Sequence, residues 1–349
     1  MLNIASYPES DFKNKSKLAI IIPVYNTEKY IREMINDLLN QSFNDYSIFV
    51  INDGSDDSSL EILNRLASSE SRIHIISQTN GGPGKARNSG LDYIAQEKLT
   101  FDYIWFCDSD DKIEQEALSK VISALDRTKS DFALFSVRRF DKKAIKTYKA
   151  HILKEELLNH EDIVNQYFRN GWKWKKEPCS EAFLNNKIFR FDIVKDYRFR
   201  VDIFRAEDFD YFFRVLPRLQ RAVLVPDAYY LYRLRKSSLT NAYDKTGDLI
   251  VCSANYAELR NRTRSEQVSM QHRLIRAYYL DICQSLNNND LDTYKSLINK
   301  YRKLKLCYGF TLADAKIIVL LGPLRPLLFL YNKIRNKIKK NRNRSNFYE

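Results

Sequence analysis

The feature that most constrains this chain is an alternation between Leu18 and Val137, in which short apolar runs give way to polar clusters and then amphipathic stretches. Leu18–Pro23 is a continuous apolar run ended by proline, the pattern of a strand buried on both faces. Thr27–Phe43 places Ile31, Met34, Ile35, Leu38 and Leu39 on one helical face. Ile48–Ile51, Ile73–Ile76, Tyr103–Cys107 and Phe132–Val137 repeat the strand pattern, and Gly84–Ala95 and Glu114–Leu125 the helical one. Ser58 and Glu61 have the spacing of a capping box. Alternation of this kind predicts an α/β fold, a mainly parallel sheet with helices on both faces. Ligands of such sheets bind where loops leave the carboxyl ends of the strands. Tyr25-Asn26, Asp53, Gly81–Asn88 and Asp108–Asp111 all fall there.

A chain of 349 residues suits a catalytic domain of roughly 220–250 residues plus an appendage. After Val137 the alternation weakens: Glu155–Arg169 and Glu207–Leu216 read as helices and Ala222–Val225 as a strand. The expected division is a lead over 1–16, a catalytic domain over 17–245 with halves 17–137 and 138–245, a helical extension over 246–311, and an apolar segment with a basic tail over 312–349. The five cysteines (Cys107, Cys179, Cys252, Cys283, Cys307) form no CxxC pair, so neither a disulfide framework nor a zinc knuckle is indicated. The polar lead lacks the apolar stretch of a signal peptide. A cytosolic protein with reduced thiols is expected.

Asp108-Ser109-Asp110-Asp111 directly follows the strand ending at Cys107. Carboxylates clustered on a turn repel one another unless a cation lies between them. Oxygen ligands of this kind suit Mg2+ or Mn2+, which bind substrate phosphates and retain waters. The Asp-x-Asp pattern also occurs at Asp208/Asp210 and Asp290/Asp292. An isolated match reads as a solvated acidic turn; only the buried strand before Asp108 sets the first pair apart.

Four motifs now stand in order. They are Ile20-Ile21-Ile22-Pro23-Val24-Tyr25-Asn26, Val50-Ile51-Asn52-Asp53-Gly54-Ser55-Asp56-Asp57, Asn80-Gly81-Gly82-Pro83-Gly84-Lys85-Ala86-Arg87-Asn88-Ser89-Gly90, and Asp108-Ser109-Asp110-Asp111. This succession resembles the family-2 inverting glycosyltransferases with the Rossmann-like GT-A fold, closely over 17–135 and more loosely to about Thr240. The resemblance implies a UDP-sugar donor and Mn2+ or Mg2+. Pro23, Tyr25 and Asn26 would line the base, and Asp53 would hydrogen-bond its ring. Arg87 would face the nucleotide with Lys85 assisting. Asp108 and Ser109 would hold the ribose side, with Asp108 near the metal and Asp110 its direct ligand. By their own residues alone, Tyr25 also fits a core position and Asp53 a turn cap. No GxxxxGK[ST] P-loop and no GxGxxG after the first strand is present.

Inverting transfer needs a carboxylate to take the acceptor proton. Arg205-Ala206-Glu207-Asp208-Phe209-Asp210-Tyr211 resembles the family's Glu-Asp pair at a helix start, which implies Asp208 as base and Glu207 as a positioning group, with Asp210 pointing away. Acids in a first turn also suit the helix dipole. On the acceptor side, Asn186-Lys187-Ile188-Phe189-Arg190 resembles a supporting segment, with Trp172 and Trp174 upstream; their rings suit sugar faces or surface cover equally. The loop from Tyr232 through Arg233 to Ser238 resembles the family's closing loop, its basic groups candidates for the diphosphate. No Gln-x-x-Arg-Trp motif of processive synthases occurs, so addition of a single sugar is expected.

The net charge of +13 is concentrated in the tail, where Lys333, Arg335, Lys337, Lys339, Lys340, Arg342 and Arg344 stand without an acid among them. Leu312–Tyr331 is apolar but broken by Asp314, Lys316, Pro323, Arg325 and Pro326, unlike a transmembrane helix of about 20 residues. An interfacial helix with a polybasic tail predicts peripheral contact with an anionic membrane; a helix packed on the body is the other reading. Nucleic acid is a poor partner, because seven of the +13 excess charges are localised in one tail and no recognition fold accompanies them. The acceptor is expected to be a cell-surface glycan or a lipid-linked intermediate. Residues 246–311 are candidates for acceptor specificity or self-association into a homo-oligomer. The rival function is a non-catalytic partner that binds a nucleotide-sugar or glycan.

Overall fold

The computed structural model describes residues 3–4, 16–141, 145–150, 152–169, 183–203, 207–235, 267, 292–293 and 295–299. The chain divides into two compact units, Met1–Met270 and Gln271–Glu349. In the second, the described residues are helical, with Leu297 and Ile298 buried. Trp172, Trp174 and the whole 312–349 segment lie outside the described residues. No helix among the described residues is long and apolar enough to cross a membrane.

The first unit is built on one mixed sheet. Its strands are β1 (Asn3–Ile4), β2 (Leu18–Val24), β3 (Tyr46–Asp53), β4 (Ile73–Gln78), β5 (Tyr103–Phe106), β6 (Lys112–Ile113), β7 (Phe132–Phe140), β8 (Ile145–Ala150), β9 (Glu156–Asn159), β10 (Lys187–Arg190) and β11 (Arg221–Arg233). The order is β1-β4-β3-β2-β5-β10-β7-β11-β6, with β8 on β7 and β9 on β11. β4, β3, β2 and β5 are parallel, as the alternation predicts. β10 then inserts antiparallel between β5 and β7, and β11 runs parallel to β7. The helices are α1 (Ile31–Leu39), α2 (Ser59–Ala67), α3 (Pro83–Gln96), α4 (Ala117–Thr128), α5 (His160–Arg169), α6 (Phe191–Val194) and α7 (Glu207–Val215).

Local chemistry explains where the elements begin. α1 buries Ile31, Met34, Ile35 and Leu38, the face read from the sequence. It starts four residues after Thr27, because Asn26 at φ 52° and the bonds from Tyr30 and Ile31 to the Thr27 carbonyl form a turn first. The capping box expected at Ser58 and Glu61 is absent. Asp57 Oδ1 accepts the Ser59 N–H at 2.9 Å, Ser58 N–H goes to Glu28, and Glu61 pairs with Arg65. The helix expected from Glu155 begins at His160 instead. Residues 156–159 pair with β11, and Asn159 and Asp162 cap α5 reciprocally, side chain to backbone, at 3.0 and 3.3 Å. The strand expected at 222–225 runs on to Arg233, because a register shift beyond Val225, with Asp227 at φ 55°, absorbs the Pro226 interruption.

Candidate active site

Two loops at the carboxyl ends of β2 and β3 are laced together. Asn26 N–H donates to Ser55 Oγ at 3.2 Å, Asp56 N–H to Asn26 Oδ1 at 3.0 Å and Thr27 N–H to Ser59 Oγ at 2.9 Å. This holds Tyr25, 50% exposed, on the rim beside half-buried Pro23. Asp53 is 2% exposed, and its carboxylate accepts from Gln78 Nε2 (2.6 Å), Gly81 N (2.9 Å) and Gly82 N (2.8 Å). It therefore shapes the glycine turn before α3. Gly82 sits at φ 85°, where a side chain would be strained. The exposed Lys85 folds across Gly81, so that a Cβ there would meet the Lys85 side chain.

The acidic turn after β5 is held from β11. Tyr230 hydroxyl accepts the Asp108 N–H at 3.2 Å and donates to Asp111. Arg233 N–H donates to Asp111 Oδ1 at 2.8 Å, and Arg233 Nε to the Asp110 carbonyl at 2.7 Å. The Arg233 guanidinium also pairs with Glu33 and lies 4.9 Å from the Tyr30 ring, so it braces the turn. The Asp110 carboxylate pairs with Arg235. Burial, with Asp108 beside it, pushes Asp110 up to about 6. Ser109 is buried on the same turn. Among the described residues no group of three or more His, Cys, Asp and Glu is arranged to hold a metal ion by itself. Two carboxylates on one turn nevertheless fit a hard cation that completes its shell with phosphate and water.

The third component comes from α3 and α7. Arg87 is buried, and its Nη2 donates to Asp108 Oδ1 at 2.9 Å, while Nη1 lies 3.1 Å from Glu207 Oε1 and 3.2 Å from Asp208 Oδ1. Burial opposes the Arg87 charge, but Asp208, Asp108 and Glu207 outweigh it and raise its pKa. Asp208 Oδ2 accepts the Leu184 N–H at 3.3 Å. Burial pushes Asp208 up to about 7; Arg87 pulls it down, and Glu207 and Asp108 push it up. Such a carboxyl can accept a proton near neutrality. Asp210 points away, as expected, into ion pairs with Arg200 at 3.2 Å and Arg214 at 2.8 Å.

Thus Asp108, Arg87, Glu207 and Asp208, far apart in sequence, meet in one cluster, with Asp110 on the same turn as Asp108. Lys187, expected to face an acceptor, does not. It is fully buried, with Nζ donating to the Phe183 carbonyl at 2.5 Å and Asn186 Oδ1 at 2.9 Å. A cation without solvent access here braces the turn before β10. Two residues escaped the sequence reading. Asn185 Nδ2 reaches Asp108 Oδ2 at 3.4 Å, and Tyr230 links Asp108 to Asp111. No local motif marks either; the turn before β10 carries Asn185 and the pairing of β11 carries Tyr230.

A parallel β/α half whose carboxyl edge carries this acidic turn, joined to a mixed half carrying Glu207-Asp208, defines an α/β protein of the GT-A kind. The chain belongs to glycosyl transferase family 2, whose family description matches residues 19–198. It is similar to glycosyltransferase GlyA of Streptococcus pneumoniae, 26% identical over 311 residues that cover 87% of this chain and 43% of GlyA. It is also similar to the Staphylococcus aureus poly(ribitol-phosphate) beta-N-acetylglucosaminyltransferase TarS, 26% identical over 65% of this chain and 37% of TarS. The chain thus spans less than half the length of either relative. TarS solved with UDP-GlcNAc superimposes with a TM-score of 0.56 at 20% identity, covering 82% of this chain and 92% of that one. A mannosyltransferase of Pyrobaculum calidifontis with GDP-Man and Mn2+ gives 0.52 at 12% identity, covering 95% and 86%. These likenesses show the fold.

Proposed function

We propose that this chain is an inverting glycosyltransferase that moves one sugar from a UDP-sugar to a hydroxyl of a cell-surface glycan or lipid-linked acceptor. The observation that carries the reading is the meeting of Asp108, Glu207 and Asp208 on Arg87 at the edge of the sheet. Asp208 is the general base: the acceptor oxygen attacks the anomeric carbon, its proton passes to Asp208, and the bond to the diphosphate oxygen breaks with its electron pair. An attack opposite the leaving group inverts the anomeric centre. Glu207 holds the guanidinium that faces Asp208. Asp110 with Asp108 would hold Mn2+ or Mg2+, which when bound would neutralise the diphosphate as a leaving group. Tyr25 and Pro23 form the rim for the base. The UDP donor is supported by TarS, solved with UDP-GlcNAc, and a cell-surface polymer as acceptor by the poly(ribitol-phosphate) in the name of TarS. The basic tail over 312–349 provides peripheral contact with the inner face of the cell membrane.

The test is UDP release from a panel of UDP-sugars with Mn2+, then with EDTA. One donor should be hydrolysed slowly, and EDTA should abolish that release. An Asp208→Asn variant that folds, binds UDP and keeps full transfer would remove the base from Asp208.

A further inference from the structure

Arg87 belongs to the glycine-rich run that opens α3, yet its guanidinium lies under the site and not on its rim, at 3% exposure. Both terminal nitrogens are committed to carboxylates: Asp108 on one, Glu207 and Asp208 on the other. Nε has no partner, and Asp208 Oδ1, 3.2 Å from Nη1, meets the guanidinium as an ion pair without a hydrogen bond. Its Cζ lies 5.3 Å from the centre of the Phe199 ring, which stacks on Tyr211 of α7 at 4.1 Å. Three of these neighbours, Phe199, Glu207 and Asp208, come from the acceptor half.

We infer that Arg87 is a positioning residue that aims the Asp208 carboxylate and ties it to Asp108, and is not a contact to the nucleotide. The inference rests on the reading of Asp208 as base. A planar fork with fixed donor directions hydrogen-bonds Asp108 and Glu207, acids from two elements, at once and so fixes the charge beside Asp208; an ammonium on a flexible stem fixes it less well. The groups facing Asp208 are Arg87 from α3, Glu207 from its own helix, Asp108 from the turn after β5, and the Leu184 N–H before β10. Arg200 and Arg214 face Asp210. Among the described residues Arg87 is therefore the cation that faces Asp208. Without it three carboxylates crowd together, and Asp208 keeps its proton to higher pH. Occupancy of Asp108 on the donor side is thereby felt by the base on the acceptor side, through one guanidinium.

The test uses the full chain with Arg87→Lys and Arg87→Met, each also combined with Asp208→Asn. Two readouts are taken against pH: UDP release from the donor that the panel identifies, and the difference in melting temperature that Asp208→Asn makes in each background. Calorimetry measures UDP affinity. In Arg87→Met the acid limb of UDP release and the midpoint of the melting difference should both move up by about one pH unit or more. Arg87→Lys should move them less. UDP affinity should stay within about twofold in both, with the loss falling on kcat. Weakened UDP binding of about tenfold, with an unmoved midpoint, would make Arg87 a nucleotide contact and overturn the inference. If Arg87→Met does not fold, Arg87→Lys decides by the same criteria. Undiminished UDP release by Asp208→Asn alone would instead sink the base assignment, a separate failure from that of Arg87.

Discussion

Asn88 and Phe199 form a reciprocal pair: Phe199 N–H donates to Asn88 Oδ1 at 2.7 Å, and Asn88 Nδ2 donates to the Phe199 carbonyl at 2.8 Å. A side-chain amide thus pairs with a backbone peptide group 111 positions away, fastening α3 to the segment that leads toward α7. Phe199 in turn stacks on Tyr211 of α7, so the pair fixes the register in which Glu207 and Asp208 approach Arg87.

Asn88→Ala removes both bonds and leaves the Phe199 peptide unpaired. The expected cost is about 2–3 kcal/mol of stability, read by thermal or urea unfolding. UDP affinity should change little, while kcat falls because Asp208 loses its register.

Gly90→Ala tests how closely α3 lies on the sheet. A Cβ at Gly90 would meet Ile21 Cγ2 and Ile51 Cδ1, each at 3.0 Å. Both isoleucines are fully buried in β2 and β3, so they have little room to yield. The gain in helix propensity is outweighed, and a net loss of about 1–2 kcal/mol is expected. An unchanged melting temperature would contradict this packing.

Asp208→Asn should trade activity for stability. The folded Asp208 titrates at about 7, against 3.8 for the unconstrained group. The folded state therefore binds the proton more tightly. The stability Asp208 contributes is complete below 3.8 and is lost as pH rises through about 7. At alkaline pH the asparagine variant should be more stable than the native chain by about 1–2 kcal/mol, and inactive. At acid pH the two should melt together.

Lys187→Met separates scaffold from acceptor contact. Losing the Nζ bonds to Phe183 and Asn186 should cost about 1–3 kcal/mol, seen as a lower melting temperature. KM for the acceptor should stay as it was in folded protein; a selective rise would return Lys187 to the acceptor site.

Much of the nucleotide half was legible because its signals are local. The period of Ile31, Met34, Ile35 and Leu38 is set within one helix, and a strand buried on both faces reads as an unbroken apolar run, as in β2. The helix read over Glu155–Arg169 holds from His160 onward; Leu157 and Leu158 fit either period, and pairing of 156–159 with β11 decides for strand there. Ser58 and Glu61 have the spacing of a capping box, but Glu28 takes the Ser58 N–H that Glu61 would have accepted, and Glu61 pairs with Arg65 instead.

The sequence by itself determined the alternation, the four polar clusters at the strand ends, and through them the family and the residues around which a site is built. Only the tertiary structure decided their partners. It turned Asp53 onto the Gly81–Gly82 backbone, buried Lys187, and brought Glu207 across 120 positions to Arg87. The reason is physical: periodicity and turn chemistry act over a few residues, whereas an ion pair and the burial that shifts a carboxyl exist only once distant segments exclude water together.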